Sequence, residues 1–289
     1  MLIRSFLALS LLLPWVGSAQ ETPAAHPATK PATYSSCHVD GQYIAMTFDD
    51  GPSAENTPRL LDLLKQRGIK ATFFLIGQNA AEHPEIVKRI LEEGHEIGNH
   101  SWTHPQLSKL SDERVTDEIV KTQNAIHEAS GYTPTLLRPP YGAITQRQRE
   151  WIESRFGLSV ILWSVDPFDW KRPGVSVIEQ RILSGAEPGA IVLSHDIHKQ
   201  TVDAMPATLD ALIKKGYKFV TVSQLIAMNH PKPAASAAKV TVMATASAAI
   251  TPPAAGNPDP AAAKSPSAQT PSSASPSPSG PGQVLNTSN

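Results

Sequence analysis

The chain has 289 residues, is 40% hydrophobic and carries a formal net charge of −1. This length suffices for one large domain or two small ones. A near-neutral chain lacks the basic excess that nucleic-acid or strongly anionic partners select, so we expect no nucleic-acid partner. Overall charge is therefore a poor guide to the substrate.

The first 19 residues have the features of a secretory signal peptide. Arg4 gives a positively charged start, residues 6–13 form a short apolar run, and residues 17–19 (GSA) supply the small side chains of a cleavage site. The apolar run is shorter than the ~20 residues of a membrane span, which favours cleavage over a permanent anchor. We therefore expect a secreted or periplasmic protein, associated with a bacterial cell envelope and without a membrane span after cleavage.

Two low-complexity segments flank one predicted domain at residues 37–229. Residues 20–36 predict a flexible lead-in, and residues 230–289, rich in Ala, Pro and Ser, cannot bury a core and predict a disordered tail. A tether that threads through the cell wall and an idle extension are equally favoured interpretations of the tail. Cys37 is the only cysteine, so no disulfide can form within the chain, and we expect an inert thiol or pairing between chains.

Between these segments, strand and helix patterns alternate. The predicted strands are YIAMTF, ATFFLIG, HEIGNH, TLLR, LSVILWS, AIVLSH and KFVTV. The first predicted helix begins at Asn56, a candidate N-cap, and ends at Gly68; the second begins near Pro84. A long third helix is capped by Ser111 and ends near Gly131. The alternation predicts a parallel sheet with helices packed outside it, either an open sheet or a barrel.

Polar clusters follow five of the predicted strands. In chain order they are TFDDGP, GNHSWTH, LRPPYG, SVDPFDW and LSHD. In parallel α/β folds the loops at the carboxyl ends of the strands share one face, and active sites are built there. We therefore expect the five clusters to meet at one opening.

The second cluster suggests a metal site. His100 and His104 are four residues apart and share a face if the segment is helical, so both imidazoles can reach one ion. Hydrolytic zinc sites usually have three protein ligands, and Asp49 and Asp50 are the candidates for the third. Because Gly51 and the proline after it break the strand, both carboxylates can turn into the opening, one as a ligand and the other as a base. The alternative is an ordinary pair of surface or core histidines.

A hydrolytic site also needs proton donors and a place for an oxyanion. His195 is suited to be the acid, because imidazole titrates near neutral pH, and Asp169 can keep it protonated. Arg138 can fix the basic aspartate and hold it ionised. Taken singly, Arg138 is an ordinary salt-bridge partner and Trp170 a core aromatic; together on one face they favour an active site.

With these residues assembled, the chain resembles the NodB-homology polysaccharide deacetylases, the fourth family of carbohydrate esterases. The resemblance covers about residues 43–225 and rests on TFDDGP, HSWTH, RPPYG, DPFDW and IVLSHD in this order. It implies an α/β fold with a single catalytic domain, a distorted and incomplete (β/α) barrel shorter than the ~250 residues of a regular eight-fold barrel.

The resemblance also implies which residues form the metal site. Asp50, His100 and His104 would hold zinc or another divalent ion such as cobalt or nickel. Asp49 would be the general base that activates water, with Arg138 oriented on it.

The remaining roles follow the same resemblance. His195 would be the general acid that protonates the leaving amine, with Asp169 tuning it. The backbone N–H of Tyr141 would stabilise the oxyanion, and Trp170 and Leu193 would wall the pocket for the acetyl methyl.

The implied activity is removal of N-acetyl groups from a GlcNAc-containing polysaccharide, with release of acetate. Peptidoglycan is the first choice of substrate, and chitin-like or matrix polysaccharides are the others. An O-deacetylase acting on acetylxylan would use the same site. A catalytically idle carbohydrate-binding domain is a third hypothesis, against which Asp49 and His195 argue, because binding alone needs neither a base nor an acid. The residues assign no role to His198 and no oligomeric state.

Overall fold

The structure is a computed structural model that describes residues 33–230. The predicted signal peptide, residues 20–32 of the lead-in and residues 231–289 of the predicted tail lie outside the described residues, so those assignments stay predictions. Within residues 33–230, no helix combines the length and the apolar character needed to cross a membrane.

Among residues 33–230, eight parallel strands form the centre of the fold. They are β1 (Thr33–Tyr34), β2 (Tyr43–Asp49), β3 (Thr72–Leu75), β4 (Glu96–Asn99), β5 (Leu136–Leu137), β6 (Ser159–Ile161), β7 (Ile191–Val192) and β8 (Lys218–Phe219). The spatial order is β1-β6-β5-β4-β3-β2-β7, and β8 pairs with the first residues of β2 beside β7.

The two ends of this sheet approach each other without forming a continuous ladder. Only isolated bridges join them in the described range, one between Ser36 and Ala190 and one between Val165 and Val192. The prediction of a parallel α/β fold with a distorted, incomplete barrel is therefore confirmed.

In the described part of the chain, eight α-helices connect and cover the strands. They are α1 (Asn56–Gln66), α2 (Gly77–Glu82), α3 (Pro84–Glu92), α4 (Asp112–Ser130), α5 (Gln146–Phe156), α6 (Val175–Gly185), α7 (Lys199–Lys214) and α8 (Val222–Ala227). Ser111 caps α4 by accepting the N–H of Arg114, and Gly131 ends that helix in the left-handed conformation, both as predicted. Asn56, in contrast, is the first residue of α1 and not its cap. Its side-chain amide donates instead to the carbonyl of Ile197 at 3.1 Å, so it ties the helix to a distant loop.

The alternation along β2 separates the core from the site. Ile44, Met46 and Phe48 pack outward in the main hydrophobic cluster with leucines of α1 and α7. Successive side chains of a strand point to opposite faces, so Thr47 and Asp49 point into the barrel, where both contact a buried arginine. The strand therefore places one aspartate inside the barrel at its carboxyl end.

Packing inside the barrel is tight at Gly98 of β4. A Cβ at this position would lie 2.3 Å from the ring of Phe74. We expect Gly98→Ala to lower the free energy of unfolding by about 2 to 3 kcal/mol, because overpacking forces neighbouring side chains out of place. Chemical denaturation of the full chain measures this change.

Gly68→Ala is the matched control. Gly68 has a φ of +64°, and no atom lies within 4 Å of the place that a Cβ would occupy, so only backbone strain of about 1 kcal/mol is expected. A loss of stability at Gly98 no larger than at Gly68 would contradict the packing argument.

Candidate active site

The carboxyl ends of the strands open into a pocket of about 350 Å³. All five polar clusters contribute to its wall, as the topology of a parallel sheet requires. The lining residues are Asp49, Asp50, His100, His104, Pro139, Tyr141, Trp163, Asp166, Trp170, Leu193 and His195. The structure thus brings together residues from five separate parts of the chain.

Asp49 and Asp50 both reach this pocket because the backbone changes direction between them. Neighbours on a regular strand point to opposite faces, so Asp50 would otherwise point toward the helices. Its φ of 72° lies in the left-handed region, which ends the strand and redirects the side chain. This conformation costs a residue with a Cβ about 1 to 3 kcal/mol. Asn79 holds it by donating its side-chain amide to the Asp50 carbonyl at 2.7 Å.

The two histidines approach each other in a loop, and not on one face of a helix as their spacing of four residues would allow. Residues 100–104 form a loop and not a helix, with Ser101 and His104 in the left-handed region at φ 64° and 59°. The two imidazole centroids are 4.9 Å apart. Two local backbone reversals, and not helical spacing, therefore bring the rings together.

The orientation of His100 is fixed by one hydrogen bond. Its Nδ1 lies 2.7 Å from the backbone carbonyl of Arg138, which can only accept, so Nδ1 carries the proton. Nε2 is then left with a lone pair, and it lies 3.3 Å from Oδ1 of Asp50. Second hydrogen bonds of this kind commonly orient imidazoles that bind metals.

Asp50, His100 and His104 fit a divalent metal ion. Their ligand atoms lie within 4.8 Å of one another, and no other group of this kind occurs among residues 33–230. Oδ1 of Asp50 is buried without a hydrogen-bond partner although both imidazoles are within 3.4 Å, an arrangement that a cation would satisfy. Burial raises the pKa of Asp50, but the imidazoles outweigh burial and lower it to about 2, so the carboxylate is ionised. Two imidazoles and a carboxylate form the ligand set of many hydrolytic zinc sites, although such ligands also accept other divalent ions.

Asp49 is held by a fully buried arginine. Nη1 of Arg138 donates to Oδ1 of Asp49 at 2.6 Å and to the hydroxyl of Thr47 at 2.7 Å. The guanidinium also lies over the ring of Phe74, 4.1 Å from its centroid. Oδ2 of Asp49 is 3.7 Å from Nε2 of His100, so the carboxylate stands beside the metal-ligand group without belonging to it.

His195 follows β7 as the bridge partner of Asp49 and is paired with a fully buried aspartate. Its Nδ1 is 2.7 Å from Oδ1 of Asp169, whose Oδ2 accepts the backbone N–H of His195 at 2.7 Å and the hydroxyl of Thr201 at 2.8 Å. Burial lowers the pKa of His195, but the hydrogen bond and charge of Asp169 outweigh it and raise the pKa to about 9. The imidazole is therefore protonated at neutral pH. The backbone N–H of Asp49 donates to the carbonyl of Ser194 at 2.8 Å, which places the two ionised pairs side by side.

The other three predicted site residues complete the wall. Tyr141 has a φ of 60° and is 69% exposed, with its ring centroid 4.7 Å from that of His104. Trp170 is half exposed at the rim, and Leu193 is buried at the base. Their predicted roles toward an oxyanion and a methyl group stay predictions.

Sequence reasoning missed several residues that line or support the pocket. Trp163 and Asp166 belong to the wall, and Oδ1 of Asp166 accepts the N–H of Phe168 at 2.7 Å. Their position at the end of a predicted strand was the available indication. Thr47 accepts a hydrogen bond from Arg138, and Thr201 donates one to Asp169. No sequence pattern around a threonine in a strand or helix indicates such a contact.

Two polar residues beside His195 lie outside the pocket wall. The ring of His198 is 6.1 Å from that of His195, and burial lowers its pKa. Asp196 is fully buried, accepts a hydrogen bond from Thr57, and has a pKa that burial raises to about 7. Neither adds a ligand to the metal-ligand group.

A larger cavity, of about 680 Å³, shares no lining residue with this pocket. Cys37 lies in its wall, and burial raises the pKa of this thiol to about 11, so it stays protonated at neutral pH. Among the described residues no metal-ligand group lies there. The smaller pocket is therefore the candidate active site.

Comparisons with known proteins identify the family of the chain. The sequence profile of the family described as polysaccharide deacetylase matches residues 38–161. A peptidoglycan-N-acetylglucosamine deacetylase of Bacillus cereus is 43% identical over 192 residues, which cover 65% of this chain and 89% of the relative. The peptidoglycan-N-acetylglucosamine deacetylase PgdA of Listeria monocytogenes is 50% identical over 182 residues, 63% of this chain but only 38% of that longer relative.

A solved structure shows the same fold. The peptidoglycan deacetylase PdaC from Bacillus subtilis superposes with a TM-score of 0.62 at 43% sequence identity, covering 65% of this chain and 92% of that one. The similarity therefore extends over the domain that carries the pocket.

Removal of one imidazole tests the metal-ligand group. We expect His104→Ala to lose bound zinc, because one imidazole and one carboxylate hold an ion more weakly than three ligands do. Elemental analysis after dialysis against zinc measures the metal content. His198→Ala is the control and should keep the metal content of the parent, since its ring is outside the group. Full zinc occupancy in His104→Ala would exclude His104 as a ligand.

Proposed function

Because the chain belongs to the polysaccharide deacetylase family, we propose that it is a metal-dependent hydrolase that removes N-acetyl groups from a GlcNAc-containing polysaccharide and releases acetate. One observation carries the proposal. A carboxylate paired with Arg138 and an imidazolium paired with Asp169 share one pocket with a metal-ligand group. Hydrolysis of an amide needs a base, an acid and an electrophile in that arrangement.

Peptidoglycan is the preferred substrate in this proposal. The relatives from Listeria monocytogenes and Bacillus cereus are both named as peptidoglycan deacetylases, and both are at least 43% identical to this chain. A signal peptide, if cleaved as predicted, would deliver the enzyme to the compartment where this polymer lies. Chitin-like oligosaccharides carry the same N-acetyl group and remain in the substrate class.

The chain's own residues supply the proton transfers. A bound divalent ion would polarise the acetamide carbonyl and acidify water. Asp49 would accept a proton from the attacking water while the water oxygen bonds to the acyl carbon of the acetamide. Arg138 donates to Oδ1 of Asp49, so Oδ2 is the oxygen free to accept that proton.

The second half of the reaction breaks the carbon–nitrogen bond. His195, protonated and held at Nδ1 by Asp169, would donate a proton to the leaving nitrogen, so the products are acetate and the free amine of the sugar. The backbone N–H of Tyr141 would donate to the oxyanion before the bond breaks. Trp170 and Leu193 would enclose the acetyl methyl.

Two other functions use the same pocket. An O-deacetylase on acetylxylan would need the same base and metal with an alcohol as the leaving group. An idle carbohydrate-binding domain would need neither of the buried ion pairs, whose desolvation is costly. Mass spectrometry of products from peptidoglycan, acetylated chitooligomers and acetylxylan, with and without a chelator, separates the three. Chelator-sensitive loss of N-acetyl groups supports the proposal, and binding of these glycans by the metal-loaded protein without any acetate release overturns it.

The assignment of the base leads to a direct test. We expect Asp49→Asn to retain bound metal but to lower kcat by about 10²- to 10⁴-fold, the usual contribution of a general base. Acetate release and zinc content are measured on the same preparation. Deacetylation at the parent rate would remove Asp49 from the mechanism.

The pH dependence of kcat/KM tests the assignment of His195 as the general acid. Because the pKa of His195 is raised to about 9, its acidic form persists through neutral pH, and kcat/KM should fall as pH rises through about 9. Asp169→Asn removes the charge that raises this pKa, so the alkaline limb should move down toward the ordinary imidazole value of about 6.5.

Asp166→Asn provides the comparison for that shift. Asp166 lies in the same loop, but its carboxylate accepts a hydrogen bond from Phe168 and acts on His195 only through its charge, so the limb should move much less than in Asp169→Asn. An unmoved limb in Asp169→Asn would show that another group sets the alkaline side of the profile.

A further inference from the structure

We propose that Glu118 is a positioning residue of the metal site: from helix α4, its buried carboxylate holds loop 100–104 in the conformation that presents His100 and His104 to the ion. The inference rests on the proposed metal role of these histidines and extends it to a residue outside the pocket wall. Glu118 is 2% exposed and is not among the residues that line the pocket.

The hydrogen bonds of the Glu118 carboxylate are directed entirely at this loop. Oε2 accepts the backbone N–H of Trp102 and that of Thr103, both at 2.8 Å. Oε1 accepts the hydroxyl of Thr103, also at 2.8 Å. One carboxylate thus receives three hydrogen bonds from two consecutive residues that lie between the two histidines.

The loop needs such an acceptor because it has no regular secondary structure. Its four N–H groups from Ser101 to His104 are all accepted by side-chain oxygens. Asn99 accepts the first, Glu118 the second and third, and the hydroxyl of Ser101 the fourth. Both ends of this run have positive φ, which residues with a Cβ adopt only where surrounding contacts enforce it.

Glu118 can enforce the loop conformation because its own position is rigid. It lies in the 19-residue helix α4, and its backbone carbonyl also accepts the hydroxyl of Thr122 at 2.9 Å. On the other side of the loop, the N–H of Gly77 donates to the carbonyl of Ser101 at 2.9 Å. The loop is therefore held between α4, which accepts two of its N–H groups, and α2, which donates an N–H to one of its carbonyls.

Metal affinity distinguishes positioning from a general contribution to stability. The full chain is stripped of metal, and its zinc dissociation constant is measured by competition with a chromophoric chelator. We expect Glu118→Met, which fills a similar space without an acceptor, to bind zinc about 10- to 100-fold more weakly, the usual effect of losing a group that orients metal ligands.

Glu118→Gln should restore near-parent zinc affinity. The amide oxygen can accept both N–H groups, and the amide NH₂ can donate to the hydroxyl of Thr103, so all three hydrogen bonds have an equivalent. A Gln variant as weak as the Met variant would contradict the hydrogen-bonding account.

Glu96→Met is the matched control for stability. Oε2 of Glu96 accepts the hydroxyl of Thr72 at 2.8 Å and the N–H of Ser223 at 3.1 Å. It makes the same kinds of contact at the start of β4, whereas His100 follows the end of that strand. We expect this variant to lower the denaturation midpoint while zinc affinity stays at the parent value.

The possible results separate this inference from the proposed function. Parent-like zinc affinity in Glu118→Met, or an equal weakening in Glu96→Met, would overturn the inference. If Glu118→Met does not fold, Glu118→Asp replaces it, because its carboxylate is one methylene too short to reach the loop. Parent-like zinc affinity in Glu118→Asp would then overturn the inference. Absence of zinc binding by the parent would overturn both proposals, whereas zinc binding as expected without deacetylation would overturn only the proposed function.

Discussion

The buried ion pair between Arg138 and Asp49 is the interaction on which the whole pocket depends. A guanidinium without solvent costs several kcal/mol unless its hydrogen bonds and charge are compensated. Asp49, Thr47 and the carbonyl of Leu162 provide that compensation here. The backbone carbonyl of Arg138 also fixes the tautomer of His100. One residue inside the barrel therefore orients both the proposed base and a proposed metal ligand.

Much of this arrangement could be predicted from sequence because it follows from topology. Parallel strands bring their carboxyl ends to one edge, so Asp49, Arg138 and His195 are neighbours although they are far apart in the chain. The alternation of β2 and the cap of α4 at Ser111 were also predictable, since side-chain periodicity and capping are local properties.

The parts that could not be predicted depend on tertiary acceptors. The loop from His100 to His104 is spaced like a helical pair, yet its conformation is set by Glu118 from a helix further along the chain. A glutamate in the middle of an amphipathic helix looks like any solvated residue until the packing is known. Asn56 is a second example: it was predicted to cap its own helix, but its side-chain amide donates to the distant carbonyl of Ile197.

The left-handed backbone at Asp50 has a consequence for redesign of the site. Two adjacent residues with identical side chains stand in different surroundings, one in the buried ion pair and one in the ligand group. The difference between their proposed roles therefore comes from one backbone torsion angle, the positive φ of Asp50, and not from side-chain chemistry. Exchanging the proposed ligand at position 50, to select another ion, does not remove the hydrogen bond between the neighbouring carboxylate and Arg138, so the two positions are open to independent engineering.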